Sequence, residues 1–161
     1  MALNTPILTQ IEDKMKELIE SMTPGAYHYK WTVNGPDRSK VEFPIANIYL
    51  ESDNTQDTIG GSSNQEYTHV SIYRIDVTTK LEQEMSNPQF DINVDLNKCF
   101  DDLLKIFGVY PTLQGKCDTI MYLSATREFS KTGDIMIPAK MITRWRIEWE
   151  SSRVEPSHVV L

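Results

Sequence analysis

The sequence predicts an α+β fold, a two-layer sandwich with two helices on one face of a mostly antiparallel sheet of about five strands. Three observations predict it. Two segments repeat apolar residues at the three-and-four spacing of an amphipathic helix. Several others alternate apolar and polar residues with the period of a half-buried strand. The order is helix, three strands, helix, two strands (α-β-β-β-α-β-β), which suits a mixed two-layer packing rather than repeated βα units. At 161 residues the chain fits one domain, read as 1–150, with a C-terminal tail over 151–161.

The first helix is marked by Thr5 as N-cap and Pro6 in the first helical position, where a missing N–H costs nothing. Ile7, Ile11, Met15, Leu18, Ile19 and Met22 draw its apolar stripe, Glu12, Asp13, Lys14, Lys16 and Glu17 its polar face, and Pro24-Gly25 its end. Tyr27, Tyr29, Trp31 and Val33 alternate with His28, Lys30 and Thr32, which reads as a strand closed by the turn residues Asn34 to Asp37. Ile45 to Leu50, after Pro44, reads as a second strand dense enough in Ile, Tyr and Leu to lie inside a sheet.

Glu51 to Glu66 has Ile59 as its one large apolar residue, among Asp53, Asn54, Gln56, Asp57 and Gly60-Gly61-Ser62-Ser63. Such a composition buries too little surface to offset ordering entropy, so a mobile loop is expected, and a loop of this length is a candidate partner contact. Tyr67 to Leu81 reads as a long strand. The second helix is expected over about Asp91 to Phe107, with Leu96, Phe100, Leu103, Leu104 and Phe107 on its buried side, Pro88 near its start and Gly108 after its end. Asp118–Phe129 and Lys140–Trp149 read as a hairpin. In its second arm Met141, Thr143, Trp145, Ile147 and Trp149 share one face, and Ser130 to Asp134 form the turn.

Composition narrows the function classes. The net charge is −7 and the pI about 4.9, with no Lys/Arg stripe to displace counterions from phosphates, so specific nucleic-acid binding is not expected. An acidic wall is nevertheless compatible with DNA sliding past it. No apolar run reaches bilayer-spanning length, and Met1 to Thr9 lacks the basic cluster and apolar stretch of a secretory signal, so no membrane or export role is expected. Cys99 and Cys117 form neither a C-x-x-C pair nor a disulfide framework and read as reduced thiols of a protein made in a cytoplasm. Cys99 is a buried structural thiol beside Phe100.

Motifs for chemistry fail one by one. Asp91, Asn93 and Asp95 open like an EF-hand loop, but the glycine position holds Leu96 and the bidentate glutamate position holds Asp102. His28, His69 and His158 are scattered without zinc-ligand spacing. Gly60 to Ser63 lacks the Gly-Lys-Ser/Thr of a P-loop, and no G-x-S-x-G elbow occurs. Asp101-Asp102 and the pair Glu82 and Glu84 read as solvated carboxylates, and the aromatic residues as sheet core rather than a base-stacking platform. No catalytic residue, cofactor or metal site is expected.

The whole pattern resembles a known family. It joins an opening amphipathic helix and a strand bearing Pro44-Ile45-Ala46-Asn47-Ile48-Tyr49-Leu50 to a polar loop and the long strand Tyr67 to Thr79. A helix with Asp95-Leu96 and Asp101-Asp102-Leu103-Leu104 follows, then strands at Ile120–Ser124 and Ile142–Trp149. Over about Ile7 to Trp149 this resembles the tail terminator (tail completion) proteins of long-tailed bacteriophages and related contractile injection systems. The resemblance implies a virion protein of the tail–neck region, assembled in the host cytoplasm, without cofactor or catalysis. It would form a homohexameric ring that caps the tail tube, ends its polymerisation and offers a docking face to the head connector. The implied partners are other copies of itself, the tail tube protein, the head connector or neck protein and the tail sheath.

The expected contacts lie in two places. One is the loop bearing Asp53, Asn54, Gln56, Asp57 and Ile59; the other is the hairpin tip bearing Lys131, Asp134 and Ile135. Two alternatives stand beside this reading: another connector or tail-tube subunit, and a small cytoplasmic enzyme or ligand-binding α+β domain. The last would need a concave pocket with convergent polar groups.

Overall fold

A computed structural model describes residues 5–33, 44–56, 66–79, 88–128, 131–132, 135–136 and 139–152. Helix α1 spans Ile7–Glu20, with Ile7, Ile11, Met15, Leu18 and Ile19 of its expected stripe all buried. Its cap is one residue later than expected. Pro6 is extended, at φ −55 and ψ 146, and takes the N-cap position itself. It needs no side-chain cap to do so, because its carbonyl accepts the Gln10 N–H at 3.0 Å.

Of the strand expected over Tyr27 to Val33, only Thr32–Val33 forms one, β1. The reason is a competing acceptor: the N–H groups of His28 and Tyr29 point at the Asp102 carboxylate rather than at a neighbouring strand. Strand β2 covers Ile45–Gln56 and β3 covers Glu66–Thr79. The segment expected as a loop from Glu51 is therefore strand through Gln56 and again from Glu66; 57–65 lie outside the described residues. β3 supplies a long paired partner, so tertiary pairing overrides the polar composition of Glu51 to Gln56.

Helix α2 spans Pro88–Val109. Its core side is Leu96, Cys99, Leu103, Ile106 and Phe107, whereas Leu104 is exposed, contrary to expectation. Beyond α2 the chain turns through Leu113 and Gln114, both left-handed at φ 49 and φ 54, before Gly115. This conformation costs roughly 1–2 kcal/mol per non-glycine residue. Leu113 is held there by complete burial of its side chain.

Strand β4 covers Thr119–Glu128 and β7 covers Ala139–Ser152; between them β5 (Lys131–Thr132) and β6 (Ile135–Met136) form a small ribbon of their own. The expected turn thus contains a short hairpin. Ser151, expected in the tail, is instead buried in β7 and paired with Tyr67; 153–161 lie outside the described residues. The main sheet has the order β1-β2-β3-β7-β4, antiparallel except for the parallel β1–β2 pair.

Both helices pack on one face of this sheet, giving the α+β two-layer sandwich the sequence predicts. Tyr73, Ile75 and Val77 of β3 and Met141, Trp145 and Ile147 of β7 meet α1 and α2 in one core. Each such side chain contributes about 1.5–3 kcal/mol on burial. Thr143 lies in the same row; its hydroxyl donates to the Ile75 carbonyl at 2.9 Å and accepts the Trp145 indole N–H at 2.8 Å. A polar residue is thus buried in the core without orphaned groups.

Candidate interaction site

The antiparallel strands place the two expected contact regions at opposite ends of one sheet. Gln56, Glu66, Ser152 and Thr119 mark one end; Ile45, Thr79, Ala139 and Glu128 mark the other, where the β5–β6 ribbon joins β4 to β7. Asp53, Asn54 and Gln56 therefore sit at the first end and Lys131 and Ile135 at the second. Asp57, Ile59 and Asp134 lie outside the described residues, as do Glu82, Glu84, His158 and Gly60 to Ser63.

At the first end Asp53 is not a free loop carboxylate. Its Oδ1 accepts the Ser71 hydroxyl at 2.8 Å and its Oδ2 lies 3.2 Å from His69 Nδ1. His69 Nε2 meets Ser151 Oγ at 2.8 Å, and the imidazole stacks on Trp149 with centroids 3.8 Å apart and planes at 8°. The Trp149 indole N–H donates to Ser71 Oγ at 2.8 Å. Three strands are thereby clasped together where the alternating aliphatic core has run out. Asn54 is exposed beside this clasp.

Ser151, His69 and Asp53 share the hydrogen-bond order of a serine–histidine–aspartate triad, and only the fold assembles it. These residues come from β7, β3 and β2, so no sequence spacing reveals them. Yet Ser151 is 4% exposed and is paired with Tyr67 within the β3–β7 ladder, whereas a serine nucleophile must be presented to a substrate carbonyl, typically on a sharp turn. The arrangement is suited to holding strands.

A second polar cluster ties the 26–31 segment to α2. Asp102 Oδ1 accepts the His28 N–H at 2.8 Å, and its Oδ2 accepts the Tyr29 N–H at 3.1 Å and the Trp31 indole N–H at 3.0 Å. Asp102 is buried, which corrects the expectation of a solvated carboxylate. Asp101 does remain exposed, bonding His28 Nε2 at 2.8 Å. Tyr29 donates to Asp95 Oδ1 at 2.9 Å, and burial first, then this bond, raises its phenol pKa. Lys105 donates to the Ala26 carbonyl and lies 4.9 Å over the Tyr27 ring.

His28, Asp101 and Asp102 offer ligand atoms within 4.8 Å of one another, a group the sequence reading missed because 73 residues separate His28 from Asp101. The Asp102 oxygens already receive three N–H donors, so this group is accounted for as the anchor of an irregular segment. The EF-hand-like Asp91 to Asp95 run is helical, and Leu96 is buried in the core, as expected.

The sheet face away from the helices carries charge and ring surface. Tyr49, Arg74, Arg144 and Ser124 stand in one rung. The Arg74 guanidinium lies 5.1 Å over the Tyr49 ring, and Arg144 Nε contacts both Glu51 oxygens at 3.2 and 3.1 Å. Asp76 is 2% exposed on this face because Arg74 Nη2 bonds it at 2.7 Å and Lys140 approaches to 3.1 Å. Two cations offset the cost of desolvating that carboxylate.

No model of a known protein family matches this chain, and no curated protein matches it. Among the described residues no helix is long and apolar enough to cross a membrane.

Proposed function

We propose that this chain is a non-enzymatic virion assembly protein, a tail-terminator subunit that forms a ring on the finished tail tube, stops its growth and receives the head connector. The observation that carries the reading is the placement of its two candidate contact regions at opposite ends of one sheet. A ring that meets a tube on one side and a connector on the other needs two unlike ends, with its lateral surfaces left for neighbouring copies. Strands running along the ring axis supply that division. The polar clusters support it too, since each is spent on holding strands or an irregular segment in place.

On this reading the partners are other copies of the chain, the tube protein and the neck protein, with the sheath in contractile tails. DNA passes through the ring without sequence-specific contact, consistent with the net charge of −7. Electron microscopy of particles carrying a labelled copy tests the reading. Label is expected at the head-proximal end of each tail, and particles lacking the protein should carry tails of uncontrolled length that join no heads. Label along the whole tube would make it a tube subunit, and unlabelled particles would remove it from the virion.

A further inference from the structure

We propose that the ring is closed by the sheet itself, strand β4 of one copy adding antiparallel to strand β2 of the next. This rests on the ring reading above and names its lateral interface. The first observation is strand polarity. From β2 through β3 and β7 to β4 every neighbour is antiparallel, so the two edge strands run in opposite directions. Rotation about an axis near the strand direction preserves every strand's sense. It therefore brings β4 of one copy beside β2 of the next in the antiparallel arrangement, and each copy uses one edge of each kind.

The second observation is that, among the described residues, most of each edge has no strand paired to it. β1 covers β2 only at Ile45 and Ala46, and on the outer edge of β4 the Ile120 N–H is taken by the Pro111 carbonyl at 2.9 Å. Among the described residues nothing pairs with the remainder of either edge. Solitary edges are commonly blunted by lysine or proline. Neither occurs in Asn47 to Gln56 or in Thr119 to Glu128.

The third observation selects a second copy as the occupant. Leu50, Tyr73, Trp145 and Tyr122 form one rung across the sheet on the helix-covered face. Its middle is buried, whereas its ends, Leu50 and Tyr122, are 40% and 42% exposed. Each strand carries its bulge immediately after this rung, between Leu50 and Ser52 and between Tyr122 and Ser124. Copies placed edge to edge with Leu50 beside Tyr122 continue the buried rung and bring the two irregularities to one level, where bulges bend a sheet.

Cysteine cross-linking of the full chain tests this. L50C and Y122C proteins, oxidised separately, should stay uncross-linked; mixed, they should give one dimer band, and the double variant a ladder ending in a closed species. Cross-linking of Y122C with itself would show a two-fold β4–β4 pairing and overturn the proposal, as would failure of the mixture to cross-link. The charged variants L50K and Y122K, checked by circular dichroism for retained fold, should sediment singly as monomers and pair only when mixed. If tails are capped normally by L50K protein, the interface is wrong and the terminator reading survives. If edge cross-links form in a protein absent from tails, the reverse holds.

Discussion

Asp102 Oδ2 accepts the indole N–H of Trp31 at 3.0 Å, joining α2 to a residue 71 positions earlier. The same carboxylate holds the backbone N–H groups of His28 and Tyr29, so one buried side chain sets the path of the chain into β1. Asp102→Ala leaves three donors unsatisfied in or near the core and is expected to cost on the order of 3 kcal/mol. Trp31→Phe keeps an aromatic side chain but loses this bond and the buried pyrrole part of the indole, at about 1–3 kcal/mol. Urea unfolding midpoints measure both, and equal losses would show that the carboxylate acts through Trp31 alone.

Tyr73 is buried in the middle of β3 and donates to Glu12 Oε1 at 3.0 Å, joining sheet to α1. Burial first, then the Glu12 charge, raises its phenol pKa above the ordinary 10.0, and burial with the Asp95 bond raises that of Tyr29. The unfolded chain releases these protons first, so the folded state holds more protons above about pH 10. Stability from both phenols is complete below that pH and is lost as pH climbs further. Unfolding midpoints should fall progressively as pH rises above about 10. Tyr29→Phe and Tyr73→Phe should each flatten the fall, while costing about 1 kcal/mol at neutral pH.

Burial pushes the Cys117 thiol up to about 12, helped by Asp118, and raises that of Cys99, helped by Asp102 and Asp95. Thiolate is the reactive form, so neither cysteine should react with a disulfide reagent near pH 8 while the chain is folded. Both should react once urea unfolds it. Rapid release from the folded protein would show that the α2 face opens on the timescale of the assay.

Periodicity made the sandwich legible because its signal is local. Ile7 through Ile19 and Met141 through Trp149 each bury one face, and their three-and-four and alternate spacings record it. What stayed hidden depends on partners far along the chain. Glu51 to Gln56 reads as loop by composition and is strand because Thr68 to Tyr73 pair with its neighbourhood. Tyr27 to Lys30 reads as strand by alternation and is not, because Asp102 competes for its donors. Leu104 reads as core from its place beside Leu103, but the buried arc of α2 runs through Leu96, Cys99, Asp102, Leu103, Ile106 and Phe107, and at about 100° per residue Leu104 falls outside it. The clasp of Asp53, His69, Ser71, Trp149 and Ser151 carries no spacing signal, since three strands supply it.

That clasp also separates a structural from a catalytic use of its residues. Ser71 accepts from Trp149 and donates to Asp53, so Ser71→Ala removes two bonds and should destabilise by about 1–3 kcal/mol. Ser151→Ala removes one bond, to His69, and should cost about 1 kcal/mol. If the three side chains only hold β2, β3 and β7, a fluorophosphonate probe leaves the wild type unlabelled, and Ser151→Ala changes stability alone. Labelling of Ser151 that disappears in His69→Ala would instead make the triad a nucleophile and bring the enzymatic alternative forward, since a strand clasp gives no reason for a buried hydroxyl to attack phosphorus.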